Sequence, residues 1–112
     1  DCGRATSDDA RQICSDLGLS TLEGTLGAYY RMDRDHYDVF SRRLRRLPSG
    51  QMAVIDPKGG APRPVPTAAQ LVQEQNAWLA ERRRCGADPA CLLKSVEARV
   101  AQLKQVHRAF VD

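Results

Sequence analysis

The chain of 112 residues is poor in aromatic side chains, with two Phe, three Tyr and one Trp. Its core must therefore be built mostly from Leu, Val and Ala, with Trp78 contributing out of proportion to its number. No run approaches the roughly 18 apolar residues that a membrane span requires, so no bilayer-crossing segment is expected. The opening Asp1-Cys2-Gly3-Arg4 is not a signal-type apolar stretch, and is compatible with a mature form from which a leader was removed. Catalytic signatures are also missing: there is no Gly-rich phosphate loop, no Gly-x-Ser-x-Gly elbow and no His-Glu-x-x-His helix. Neither an enzyme nor a cofactor is expected.

Long like-charge blocks are absent too, and 28% charged with 42% hydrophobic residues is the composition of a single folded domain over residues 1–112. The net charge of +3 is unevenly spread. Residues 42 to 63 carry Arg42, Arg43, Arg45, Arg46, Lys58 and Arg63 against Asp56 alone, so a local basic patch describes the chain better than a basic protein. The patch has no aromatic stacking platform and no DNA-binding motif, which argues against nucleic acid as a partner.

What the chain does have is four cysteines, at positions 2, 14, 85 and 91. Spacings of Cys-x11-Cys and Cys-x5-Cys, with His36 and His107 far from either pair, do not fit a zinc knuckle. Asp33 and Asp35, two apart on a helix, do not share a face, so no metal site is expected from Asp33-Arg34-Asp35-His36. An even cysteine count in a small domain favours disulfides and an oxidising compartment, periplasmic or extracellular. Three connectivities are possible. Helix placement favours the local pairs Cys2 with Cys14 and Cys85 with Cys91, which close loops contributing about 3 and about 2 kcal/mol.

Along the chain, Thr6 or Ser7 caps a short helix over Asp8 to Cys14, ended by Gly18. Ser20-Thr21-Leu22-Glu23 reads as a capping box for a long helix. Its apolar stripe is Leu19, Leu22, Leu26, Tyr29 or Tyr30, Tyr37, Phe40, Leu44 and Leu47, and Pro48-Ser49-Gly50 stops it. Gly24 and Gly27 inside that helix weaken its first turns or mark close packing against a neighbour. Residues 48–66 hold five of the six prolines and three of the eight glycines and read as a long loop. Met52-Ala53-Val54-Ile55 lacks a partner strand of comparable quality, so no sheet is expected. Thr67-Ala68-Ala69-Gln70 is a second capping box, opening a helix towards Cys85. Gly86, Asp88 and Pro89 make a stapled helix-to-helix corner, after which Leu92, Val96, Val100, Leu103 and Phe110 line a final helix. The expected fold is all-α: a small bundle of one short and three longer helices, stapled by two disulfides, with a Pro/Gly-rich loop over 48–66.

Gln75-x2-Trp78-Leu79-x2-Arg82-x2-Cys85, then Cys91-Leu92-x6-Arg99-Val100-x2-Leu103, resembles the LprI-type lysozyme inhibitor family. The opening Asp1-Cys2-Gly3-Arg4-Ala5, Ile13-Cys14-Ser15-Asp16, Leu19-x2-Leu22-Glu23 and Leu26-x2-Tyr29 is similar to that family's first motif. Ala10, Glu23 and Val96 depart from the family's pattern, standing where it favours Glu, Asp and Tyr. The resemblance implies a helical, disulfide-stapled, secreted or periplasmic bacterial domain without catalytic residues, some relatives of which block lysozyme. Within the motif, Trp78 and Arg82 share a helix face, where indole and guanidinium can stack, and packing is the expected role of both. Gln75 needs hydrogen-bond partners such as the carbonyls of a neighbouring turn.

Two partner classes follow. A lysozyme-type hydrolase works with two cleft carboxylates, which Lys58 or Arg63 on the 48–66 loop can pair with. Alternatively, Arg42, Arg45 and Arg46, sharing a face if helical, contact an anionic envelope polymer or lipid headgroups.

Overall fold

In a computed structural model, which describes residues 2–111, Ser7 stands at the N-cap of the first α-helix, but its side chain makes no capping hydrogen bond. α1 spans Asp8–Ser15 and α2 spans Leu17–Val39. α3 covers Ala68–Arg84 and α4 covers Pro89–Val111. The expected capping box at Thr67 is present, with Gln70 N donating to the Thr67 hydroxyl at 3.0 Å and Thr67 N donating to Gln70 Oε1 at 2.9 Å. At the corner between α3 and α4, Gly86 takes a φ of 57°, and Asp88 Oδ1 accepts from Ala90 N at 3.1 Å. The disulfides join Cys2 to Cys14 and Cys85 to Cys91.

The expected start of α2 is wrong. Asp16 caps it, accepting from Leu19 N at 3.0 Å, so Gly18 lies inside α2 and ends nothing. The Ser20/Glu23 box does not form: the Ser20 hydroxyl donates to Leu17 O, and Glu23 reaches across to α3. An aspartate one turn earlier supplies the same acceptor and takes the position first.

The larger correction concerns residues 44–66. α2 stops at Val39, a 3-10 turn covers Ser41–Arg43, and three short strands follow: β1 (Leu44–Arg46), β2 (Met52–Val54) and β3 (Arg63–Pro64). They form an antiparallel sheet in the order β1-β2-β3, with Leu44 opposite Val54 and Val54 opposite Arg63. The fold is therefore four helices plus a small sheet rather than all-α. Pro48-Ser49-Gly50 is the hairpin turn of that sheet, closed by Gly50 N donating to Leu47 O at 2.9 Å, with Gly50 at φ 90°. Burial decides the outcome: pairing on both edges lets Ala53 and Val54 be fully enclosed with their backbone hydrogen-bonded, which an unpaired extended segment could not achieve.

α2 and α4 run parallel. At one end Leu19 and Leu92 join Ile13 of α1 in a small cluster; at the other, His36 meets His107. α3 lies antiparallel to α4, with Trp78 Nε1 donating to the Ser95 hydroxyl and carbonyl at 3.0 and 3.1 Å. The main core gathers Leu26 and Tyr37 of α2, Leu71 and Trp78 of α3, and Val96, Val100, Leu103 and Phe110 of α4. Val54 of β2 and Val65, just after β3, cap this core, so α1 and the sheet close opposite ends of a molecule measuring 46 × 23 × 22 Å. No described helix is long and apolar enough to cross a membrane.

Candidate functional site

The sheet presents a cationic turn on a rigid base. Tyr37 of α2 donates its hydroxyl to Pro66 O, and Gln51 Nε2 donates to Val65 O at 2.8 Å, pinning both edges of the 48–66 segment. Between β2 and β3, Asp56 Oδ1 accepts from Lys58 N at 2.9 Å and Gly59 N donates to Asp56 O at 3.0 Å. Gly59 and Gly60 follow at φ 97° and 103°, values open to glycine. Lys58 stands exposed on this turn between Pro57 and Gly59. Arg63, expected to protrude with it, is half-buried in β3.

The arginine cluster is reorganised by the sheet. Arg42 lies in the 3-10 turn, whereas Arg45 and Arg46 are consecutive on β1 and so point to opposite faces; the shared helical face does not exist. All three are exposed, but Arg45 Nη1 donates to the carbonyls of Arg42 and Leu44 at 2.6 and 2.8 Å, and Arg46 Nη1 donates to Gly50 O at 2.9 Å. Arg43 rests over the Phe40 ring at 5.0 Å.

An open groove of about 1200 Å³ runs between α3, α4 and the Pro62–Pro66 wall of the sheet. Four cations (Arg63, Lys94, Arg99, Arg108) and two carboxylates (Glu74, Glu81) line it. Arg99 is buried at its floor, with Nε donating to Gln75 Oε1 at 2.9 Å and Nη1 to Gln102 Oε1 at 3.1 Å. The amide oxygen of Gln75 thus accepts from a guanidinium. Arg82 donates to Asp9 Oδ2 and to Glu23 Oε1, both at 2.7 Å, while stacking on Trp78 at 5.6 Å. The four motif residues Gln75, Trp78, Arg82 and Arg99 therefore tie the helices to one another.

A second polar centre joins Asp33 and His36 of the Asp33-Arg34-Asp35-His36 run to a residue far along the chain. Asp33 is fully buried in α2, and neither carboxylate oxygen has a hydrogen-bond partner among the described residues. Burial pushes its carboxyl up to about 7 against the charge of Arg99. His36 Nε2 lies 3.0 Å from His107 Nδ1, which in turn lies 3.9 Å from Asp33 Oδ1. Burial and the neighbouring His107 hold His36 below the ordinary imidazole value, against the pull of Asp35. The expectation set aside Asp33 because Asp35 does not share its face; the missing partner, His107, is 74 residues further on.

Comparison with protein-family models, curated proteins and solved structures finds no match to this chain.

Proposed function

We propose that the chain is a secreted or periplasmic non-catalytic binding protein of the LprI type that inhibits a lysozyme or a related peptidoglycan-cleaving hydrolase. The observation that supports this reading is the exposed Lys58 on a turn already ordered by its own hydrogen bonds and by a sheet anchored through Val54 and Val65. Inserting an ordered turn into a cleft costs less conformational entropy than ordering a loose one, and a lone cation suits a cleft that carries two carboxylates. The two disulfides agree with an oxidising compartment.

The test is a cell-wall lysis assay in which the oxidised protein is titrated against a vertebrate-type and a bacterial muramidase. Saturable inhibition near equimolar ratio is expected, weakened about tenfold or more by Lys58→Glu. Absence of inhibition at large excess overturns the reading. In that case, salt-sensitive retention on an anionic envelope polymer, lost in the Arg42→Ala/Arg45→Ala/Arg46→Ala variant, identifies the alternative of an envelope-binding module.

A further inference from the structure

We propose that Asp33, His36 and His107 form a Zn²⁺ site that links α2 to α4. The placement starts from helix periodicity: Asp33 and His36, three apart, share the face of α2 that meets α4, and His107 answers from the parallel helix. One ligand atom from each residue, an imidazole nitrogen or a carboxylate oxygen, lies within 4.8 Å of the other two. A tetrahedral ion with bonds of about 2.0 to 2.2 Å to nitrogen and oxygen needs its ligand atoms roughly 3.3 Å apart. The observed 3.0 and 3.9 Å fall on either side of that value, within reach of small side-chain rotations.

Chemistry points the same way. A fully buried carboxylate with two unpartnered oxygens requires a proton or a cation. The charge of Arg99 acts on Asp33, but its Nε and Nη1 donate to Gln75 and Gln102, and its buried Nη2 makes no hydrogen bond among the described residues, so Arg99 does not satisfy the carboxylate. Two imidazoles with one carboxylate select a borderline ion such as Zn²⁺ over Ca²⁺ or Mg²⁺, which collect oxygens. The rings of Tyr29, Phe40 and Phe110 stand 5.5 Å from the histidine rings and form apolar walls, while the half-buried histidines leave the site open to ions from solvent. Three protein ligands leave the fourth position for water. This inference is independent of lysozyme inhibition, and neither result bears on the other.

The experiment uses the whole 112-residue chain, oxidised and stripped with chelator, in which the described cysteines are all in disulfides and the sequence holds two histidines. Zn²⁺ is titrated by calorimetry, and Co²⁺ is added as a spectroscopic probe. We expect 1:1 binding with a dissociation constant on the order of micromolar, a rise in thermal midpoint, and the visible bands of tetrahedral Co²⁺. His107→Gln and Asp33→Asn should each weaken Zn²⁺ at least tenfold, with far-UV circular dichroism unchanged. Should a variant fail to fold, nitrogen NMR of the wild type decides: ring nitrogens of both histidines must shift on adding Zn²⁺. No 1:1 binding by millimolar Zn²⁺, a shift confined to one ring, or undiminished binding in either folded variant overturns the proposal.

Discussion

Arg82 holds Asp9, 73 residues earlier in the chain, at 2.7 Å, and the aspartate is only 1% exposed. The same guanidinium holds Glu23, so one cation of α3 neutralises a carboxylate from α1 and another from α2. Removing it leaves a buried aspartate and a half-buried glutamate without their common cation. We expect Arg82→Met to cost about 3 to 5 kcal/mol, because a buried charge without its partner costs more than the pair contributes. The triple variant Asp9→Asn/Glu23→Gln/Arg82→Met should recover part of that loss. Urea unfolding followed by circular dichroism checks both; equal losses in the single and triple variants would mean that Arg82 acts through packing on Trp78 alone.

The two carboxylates respond to pH with opposite signs. Burial works against the ionised form of Asp9, but hydrogen bonds from Ser7 and Arg82 and the charge of Arg82 outweigh it and hold the carboxyl below its ordinary 3.8. Its contribution is therefore complete above the unfolded value and lost as pH falls through the folded one. Burial dominates at Glu23 and raises its carboxyl above 4.5 despite Arg82. That contribution is present below the unfolded value and is lost as pH rises through the folded one. Asp9→Asn should accordingly flatten the acid limb of stability below about pH 4, where Asp residues titrate. Glu23→Gln should leave that limb intact and remove the decline above it. Thermal midpoints collected from pH 2 to 7 would expose the idea as wrong if both variants moved the same limb.

How much of this was legible in the sequence depended on how local the signal is. Thr67 and Gln70 are three apart, and Gly86, Asp88 and Pro89 sit within four residues, so cap and corner could be read directly. The sheet could not. Leu44 and Leu47 continue the three-and-four spacing of α2, yet Leu44 pairs with Val54 across a turn and its neighbours obey the strand. Side-chain pairing over long separations left no trace either: Arg82 with Asp9 and His107 with Asp33 are visible only once the helices are packed. Of the basic patch, Arg42, Arg45, Arg46 and Lys58 are exposed while Arg43 and Arg63 are half-buried, and a sheet edge replaces the helix face that the spacing of Arg42, Arg45 and Arg46 predicts.

The staples should differ in what they contribute. Cys2 and Cys14 are 12 residues apart and Cys85 and Cys91 only 6, so chain entropy alone gives about 3 and about 2 kcal/mol. Cys85, however, packs against the Ile13, Leu19 and Leu92 cluster, whereas Cys2 is exposed. Cys85→Ala/Cys91→Ala therefore loses contacts as well as a cross-link, and should match or exceed the cost of Cys2→Ala/Cys14→Ala. Denaturant unfolding of the two double variants tests this, and a clearly larger loss at Cys2–Cys14 would show that loop entropy dominates.

Two glycines should respond to alanine with opposite signs. Gly24 lies in the interior of α2, and a Cβ there would meet nothing within 4 Å, so close packing against a neighbour does not explain it. Gly24→Ala removes unfolded-state freedom and improves helix propensity, which should stabilise the protein by about 1 kcal/mol and raise the thermal midpoint by about 4 °C. Gly86 also has open space around its would-be Cβ, but its φ of 57° is left-handed. There alanine meets its own backbone rather than a neighbour, and Gly86→Ala should cost about 1 kcal/mol. Because neither site has a steric contact to lose, the pair isolates backbone conformation as the cause. A gain at both positions would mean that the α3–α4 corner can relax out of the left-handed region while Cys85 and Cys91 remain bridged.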